Sequence, residues 1–233
     1  MAGSPPQPLT LPEEFVLLSH LESGRVLDAE QTAIACAAAE LGELALRRKL
    51  LVRARKTRKF GVEIYSYSPS KSGEITLLGT EPTGIGWADT LLAELHQAAA
   101  GDQPLNLLRW LRRRRRVALS LHRAALTDRG LLRHEPRGLL RKERYHADRD
   151  ARNALVATVR AVHDERIPLD AHLLFLCDLV RKAELMDDLG LTLPFFQRLA
   201  RALGPDPADQ LPEDLRDTSR MLTVWVPSRK SYD

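Results

Sequence analysis

Cysteine is nearly absent. Two thiols in 233 residues cannot build a disulfide framework, and both Cys36 and Cys177 stand among apolar neighbours, where a thiol serves as a small core side chain. Uninterrupted apolar runs fall short of the roughly eighteen residues that a membrane-spanning helix needs, so no transmembrane helix is expected. The segment Met1 to Leu9 is proline-rich and lacks a basic start followed by an apolar stretch, so it does not read as a signal peptide, and a cytosolic chain is expected. Catalytic signatures are missing too. Gly84-Ile85-Gly86 lacks the third glycine and the preceding buried strand of a phosphate loop, and no G-x-S-x-G elbow occurs. The seven histidines are scattered without ligand spacing. Asp187 and Asp188 are adjacent, and neighbours on a helix point about 100° apart, which reads as a solvated helix end. Neither an enzyme nor a metal site nor a cofactor is expected.

Lysine is also scarce, at 7 residues against 28 arginines. Arginine favours bidentate contact with phosphate, although an arginine- and alanine-rich composition also marks a GC-rich genome. Position carries more weight than the total. Arg47 to Lys59 holds eight basic side chains and no acid, and Arg109 to Arg116 holds six more, again with no acid. Pro205 to Asp217 carries five carboxylates against Arg216. Charge is thus segregated along the chain, with a positive middle.

Periodicity points to helices. Thr10-Leu11-Pro12-Glu13 is a capping box with a first-turn proline, opening a short helix through Leu21. Asp28 caps a long alanine-rich helix to about Arg48, which must pack closely against its neighbours. Leu50 to Ala54, Phe60 to Tyr67 and Glu74 to Leu78 read as strands, with Arg55 to Lys59 as the turn between the first two. Helices then follow over Trp87–Ala100, Pro104 to about Arg113, Val117–Arg129, Asp148–Glu165, Leu169–Leu185 and Pro194–Leu203. Leu131 to Tyr145 reads as an inserted hairpin turning at Glu135-Pro136-Arg137-Gly138. Four prolines and no clear period make the last thirty residues a loosely ordered tail, with Trp225 as a local anchor.

Arg112 to Arg116 forms five consecutive arginines. A continuous helix would splay them all round its axis, and burying several unpaired guanidinium groups is prohibitively costly, so most must face solvent or an anionic ligand. The bland account is a solvated helix end. Against it stand the other two basic segments, which could converge with this one on a phosphate-binding face. The hairpin offers Leu139 and Leu140 ringed by Arg137, Arg141 and Lys142, an apolar wedge with a basic collar suited to an anionic membrane surface. The same leucines could instead fold back on the core or join copies of the chain. A third account makes Val117–Arg129 and the hairpin a winged-helix module on nucleic acid.

Several segments, in order, resemble the Golgi phosphoprotein 3 family of phosphoinositide-binding peripheral membrane proteins. They are Leu9-Thr10-Leu11-Pro12-Glu13-Glu14 with Leu17-Leu18, Glu43-Leu44-Ala45-Leu46-Arg47-Arg48-Lys49-Leu50, Asp128-Arg129-Gly130-Leu131-Leu132, and the helix around Leu173 to Leu185. The resemblance covers roughly residues 9 to 203. It implies a mostly helical domain with a hydrophobic hairpin on its membrane face, a basic pocket for phosphatidylinositol 4-phosphate, and, in eukaryotic members, a grip on the cytosolic tails of glycosyltransferases. The family pocket uses a tryptophan, an arginine on the second helix and two basic residues three apart. In an ungapped alignment from Glu43 these fall on Asp28, Ala37, Arg116 and Leu119, so Arg116 alone keeps its type, with Arg113, Arg115 and Arg123 as neighbouring substitutes. Trp87 lies elsewhere. The composition fits a bacterial member, whose protein client would have to differ.

The expected fold class is mainly α: a single compact multi-helix domain with small antiparallel β elements and a protruding hydrophobic and basic β-hairpin. Residues 1–8 form a disordered amino terminus, 9–204 the domain, and 205–233 an acidic, proline-containing tail, a candidate internal competitor for the basic face. The expected function is a non-enzymatic peripheral membrane adaptor on the cytosolic face of a membrane, with phosphatidylinositol 4-phosphate as one candidate headgroup. Arg112, Arg113, Arg115, Arg116, Arg123 and Arg47 would bind headgroups, and Arg137, Leu139, Leu140, Arg141 and Lys142 would form the inserting hairpin. Expected partners are an anionic phospholipid membrane, protein clients and a second copy through the hairpin, with nucleic acid as the alternative.

Overall fold

The computed structural model describes residues 8–53, 55–59, 62–66, 73–101, 105–136, 138, 143–191 and 207–228. Seven α-helices and three two-stranded antiparallel sheets occur among them, so the protein is mainly helical with minor β structure. No described helix is long and apolar enough to cross a membrane.

The organising element is α2 (Ala29–Leu46), in which every residue from Ile34 to Ala45 is buried. A helix covered on all sides needs partners all round it. These are α1 (Leu11–Ser19), α3 (Gly86–Ala99), α4 (Leu107–Asp128), α6 (Ala171–Lys182) and α7 (Glu213–Val224). The alanines of α2 permit that close approach, and Gly42 is its tightest point: a Cβ there would meet Leu11 Cδ2 at 2.8 Å and Phe175 Cδ1 at 2.9 Å. Asp28 caps α2 as its sequence position predicts, accepting from the N–H groups of Glu30 at 2.8 Å and Gln31 at 2.9 Å. In α1, the Glu13 carboxylate reaches back to the Thr10 N–H at 2.8 Å and also takes Arg129 Nη1 at 3.0 Å, tying the start of α1 to the end of α4.

Three expectations change. Arg55–Lys59 is not a turn but a strand, β2, paired in register with β3 (Val62–Ser66), while β1 (Leu50–Arg53) pairs with β4 (Glu74–Leu77). An unbroken run of basic and hydroxyl side chains has no apolar alternation, yet it can still form a ladder of backbone hydrogen bonds. The two helices expected on either side of the arginines are one: α4 runs unbroken for 22 residues, because arginine is a good helix former and the inward members find carboxylates. The third change is at the carboxyl end, which is not a loose tail. After a 3₁₀ turn (Pro207–Gln210), α7 buries Leu215, Met221 and Leu222 in the same core as α2. Thr218 Oγ1 accepts from the Val52 N–H at 3.1 Å, and Ser219 Oγ donates to Asp178 at 2.7 Å. Polar residues at helical spacing hide this stripe from a hydrophobicity reading. Within the acidic segment, Asp214 pairs with Arg48 of the Arg47–Lys59 basic cluster at 2.6 Å. The helix expected over Pro194–Leu203 lies outside the described residues.

A hairpin forms, but its turn is not at Glu135–Gly138: β5 (Leu132–Glu135) and β6 (Arg144–Ala147) register Leu132 on Ala147 and Glu135 on Arg144, so Glu135 belongs to the ladder and the connection is longer than a four-residue turn. The hairpin leads into α5 (Arg149–His163), capped by Asp148, whose side chain accepts from the Ala151 N–H at 2.9 Å. Its tip residues Arg137, Leu139, Leu140, Arg141 and Lys142 lie outside the described residues.

Candidate anion-binding face

Successive residues of a helix turn about 100°, so five consecutive arginines must divide among environments. Arg114 points inward. Its Nε lies 2.6 Å from Glu40 Oε2 and its Nη2 3.0 Å from Oε1, a bidentate pair in which the Glu40 side chain is 0% exposed and that of Arg114 11%. His122, fully buried, brings Nε2 within 3.0 Å of the same Oε1 and meets the Trp87 ring edge-on at 4.9 Å. Arg115 pairs with Glu30 at the start of α2. Arg112, Arg113 and Arg116 are exposed and form no ion pair among the described residues. The run is therefore a structural fraction and an available fraction.

The available arginines fall into two clefts. Arg113 and Arg116, three residues apart and so on one side of α4, line a cleft of about 520 Å³ between α3 and α4. Its walls are Trp87, Trp110, Val117 and Leu121, with Thr90, Glu94 and Arg114 completing the lining. Arg112 and Arg115 line a second cleft of about 480 Å³ with Glu30, Leu108, Trp225 and Pro227, where α4 meets the start of α2 and the end of α7. Sequence reading missed the tryptophan walls. The signal existed: Trp110, Val117 and Leu121 repeat at helical spacing through the arginine run, and an apolar stripe there requires either a neighbour or a ligand.

The remaining expected residues are placed apart from this row. Arg47, at the end of α2, pairs with Glu43 at 2.7 Å. Arg123 lies under the hairpin. Its Nε donates to His20 Nε2 at 3.1 Å, and its guanidinium sits 4.4 Å from the Tyr145 ring centroid. Burial lowers the Arg123 pKa from its usual value. On the hairpin, His134 stacks on Tyr145 at 4.6 Å, and Glu143 accepts from the Tyr145 hydroxyl at 2.9 Å. That hydroxyl, ahead of His134 Nε2, holds Glu143 below the usual carboxylate range. The Tyr145 N–H donates to Gly24 O at 2.8 Å, so the hairpin base is fixed to the loop between α1 and α2. Thiol chemistry is disfavoured at both cysteines: burial pushes Cys36 well up and Cys177 to about 12.

Asp28 and Ala37, the positions aligned with the family pocket, have structural duties here. Asp28 is the α2 cap and Ala37 is fully buried, so neither presents a ring or a cation. No curated protein matches the chain in sequence. The family comparison is positive and extends past the end of the resemblance read from the sequence, into α7. With a family match running over residues 11–220, nearly the whole chain, this protein belongs to the Golgi phosphoprotein 3 (GPP34) family.

Proposed function

We propose that the protein is a non-enzymatic, peripheral membrane adaptor that meets anionic phospholipid headgroups on the cytosolic face of a membrane. Family membership supports this reading at the level of class. The observation that carries it is the division of the arginine run. Arg114 and Arg115 have carboxylates, whereas Arg112, Arg113 and Arg116 stand exposed on one rigid helix with none among the described residues. A basic group near an anionic surface contributes about 1 kcal/mol, so three supply about 3 kcal/mol, roughly a hundredfold in membrane partition. Leu139 and Leu140, with Arg137, Arg141 and Lys142, would add apolar insertion at the hairpin tip.

Phosphatidylinositol 4-phosphate is one headgroup to compare, not a requirement, because Asp28 and Ala37 do not supply the family's tryptophan and arginine. Protein clients and a second copy through the hairpin complete the adaptor role. The test is co-sedimentation of the R112S/R113S/R116S variant with phosphatidylserine vesicles. The expected result is a loss of about a hundredfold in partition with the fold intact. Unchanged capture would refute the role of this face. Duplex DNA binding that survives Leu139→Ser and Leu140→Ser, with no vesicle capture, would transfer the arginines to the nucleic-acid reading.

A further inference from the structure

Strands β2 and β3 form a two-stranded sheet of their own, with no third strand on either side among the described residues, and their main contact is with each other. Such a ribbon is marginal in water until a further strand or a packed face completes it. The register shows which backbone groups are left open. Lys59 pairs with Val62 across only two residues, and a ladder closes over so short a connection at a hydrogen-bonded pair. Alternation then makes Thr57–Ile64 and Arg55–Ser66 hydrogen-bonded pairs as well. The N–H and C=O groups of Lys56 and Arg58 are therefore turned away from β3, along the open edge of β2.

That edge carries charge of one sign. β2 holds Arg55, Lys56, Arg58 and Lys59 with no acid, and β3 holds a single acid, Glu63, opposite Arg58. Charged residues on an open edge keep most other strands away. A run of one sign does so selectively: it repels the β2 edge of a second copy and attracts a strand of opposite charge. We propose that the β2 edge takes up an extended acidic peptide as a third strand, its backbone pairing with Lys56 and Arg58 and its acidic positions opposite the basic ones. Residues of a strand alternate faces, so Lys56 and Arg58 share one face of the ribbon, and acids at alternate peptide positions match them. A membrane surface or a nucleic-acid duplex also answers the charge, but neither supplies a strand for the open backbone groups. The inference goes beyond the membrane reading, because it concerns a protein ligand on an element separate from α4.

The experiment titrates the full chain into a fluorescein-labelled peptide, Thr-Glu-Val-Glu-Val-Glu-Thr, read by fluorescence anisotropy. Two further copies carry N-methyl groups on alternate amides, one on the glutamates and one on the residues between, and only one of these sets can face the β2 edge. Saturable binding of the parent peptide is expected, with one methylated copy at least about tenfold weaker and the other within about twofold of the parent. The K56Q/R58Q variant, with its helical circular dichroism unchanged, should bind the parent about tenfold more weakly. Equal losses in the two methylated copies would overturn the strand pairing. No saturable binding, or unchanged affinity in K56Q/R58Q, would overturn the site, and displacement by duplex DNA at matched charge would overturn its choice of a peptide. Each of these failures leaves vesicle capture through Arg112, Arg113 and Arg116 to be judged by its own test.

Discussion

Replacing Arg114 with Met leaves the fully buried Glu40 carboxylate with only His122 beside it. Burying an ion costs several kcal/mol of hydration, repaid here by a bidentate guanidinium with contacts of 2.6 and 3.0 Å. Removing one partner of such a pair destabilises a fold by about 3–5 kcal/mol. For a chain of this size that is a fall of roughly 10 °C in melting temperature. The same substitution at Arg113 or Arg116, both exposed, should cost about 0.5 kcal/mol or less. Urea denaturation of the three single variants, followed by circular dichroism, measures the contrast. The E40L/R114M double variant should recover much of the loss, because an apolar pair of similar volume leaves no charge uncompensated. Equal, small losses at all three positions would refute the division of the run into structural and available arginines.

Two further predictions concern the core and the hairpin base. Burial pushes His20 down to about 4, and its bonds describe the neutral ring: Nδ1 donates to Val16 O at 2.7 Å while Nε2 accepts from Arg123. An unfolded histidine takes its proton near pH 6.5, so this contribution to stability is present above that value and is lost as pH falls from about 6.5 to about 4, about 3 kcal/mol in all. The acid limb of a stability–pH curve should flatten in His20→Gln, and an unaltered limb would contradict the assignment. Gly42→Ala should destabilise the fold by about 1–3 kcal/mol, since its Cβ would lie 2.8 Å from Leu11 and 2.9 Å from Phe175. A neutral result in thermal melts would mean that these side chains give way.

What the sequence made legible was local chemistry. Asp28 before an alanine-rich run and the Thr10–Glu13 box each act through neighbours a few positions away, so spacing alone identifies them. The arginine run was harder. Reading it as one row treats all five guanidinium groups alike, whereas Glu40 buries Arg114 and Glu30 pairs with Arg115 from positions far away in sequence. The same long-range pairing explains α7, where Thr218 and Ser219 face Val52 and Asp178 and so disguise a buried stripe as polar sequence. Arg123 read as an equivalent of Arg116, seven residues earlier on the same side of α4, but the hairpin packs over it. The α3–α4 cleft needed two helices brought together before Trp87 and Trp110 could be seen as one wall.

The most direct measurement is co-sedimentation of the wild-type chain with neutral, phosphatidylserine-containing and phosphatidylinositol 4-phosphate-containing vesicles at matched charge, with duplex DNA competing in parallel. The account predicts capture by both anionic vesicle types, none by the neutral one, and persistence of capture in the presence of DNA. Failure to bind either anionic vesicle, or complete displacement by the duplex, would contradict it.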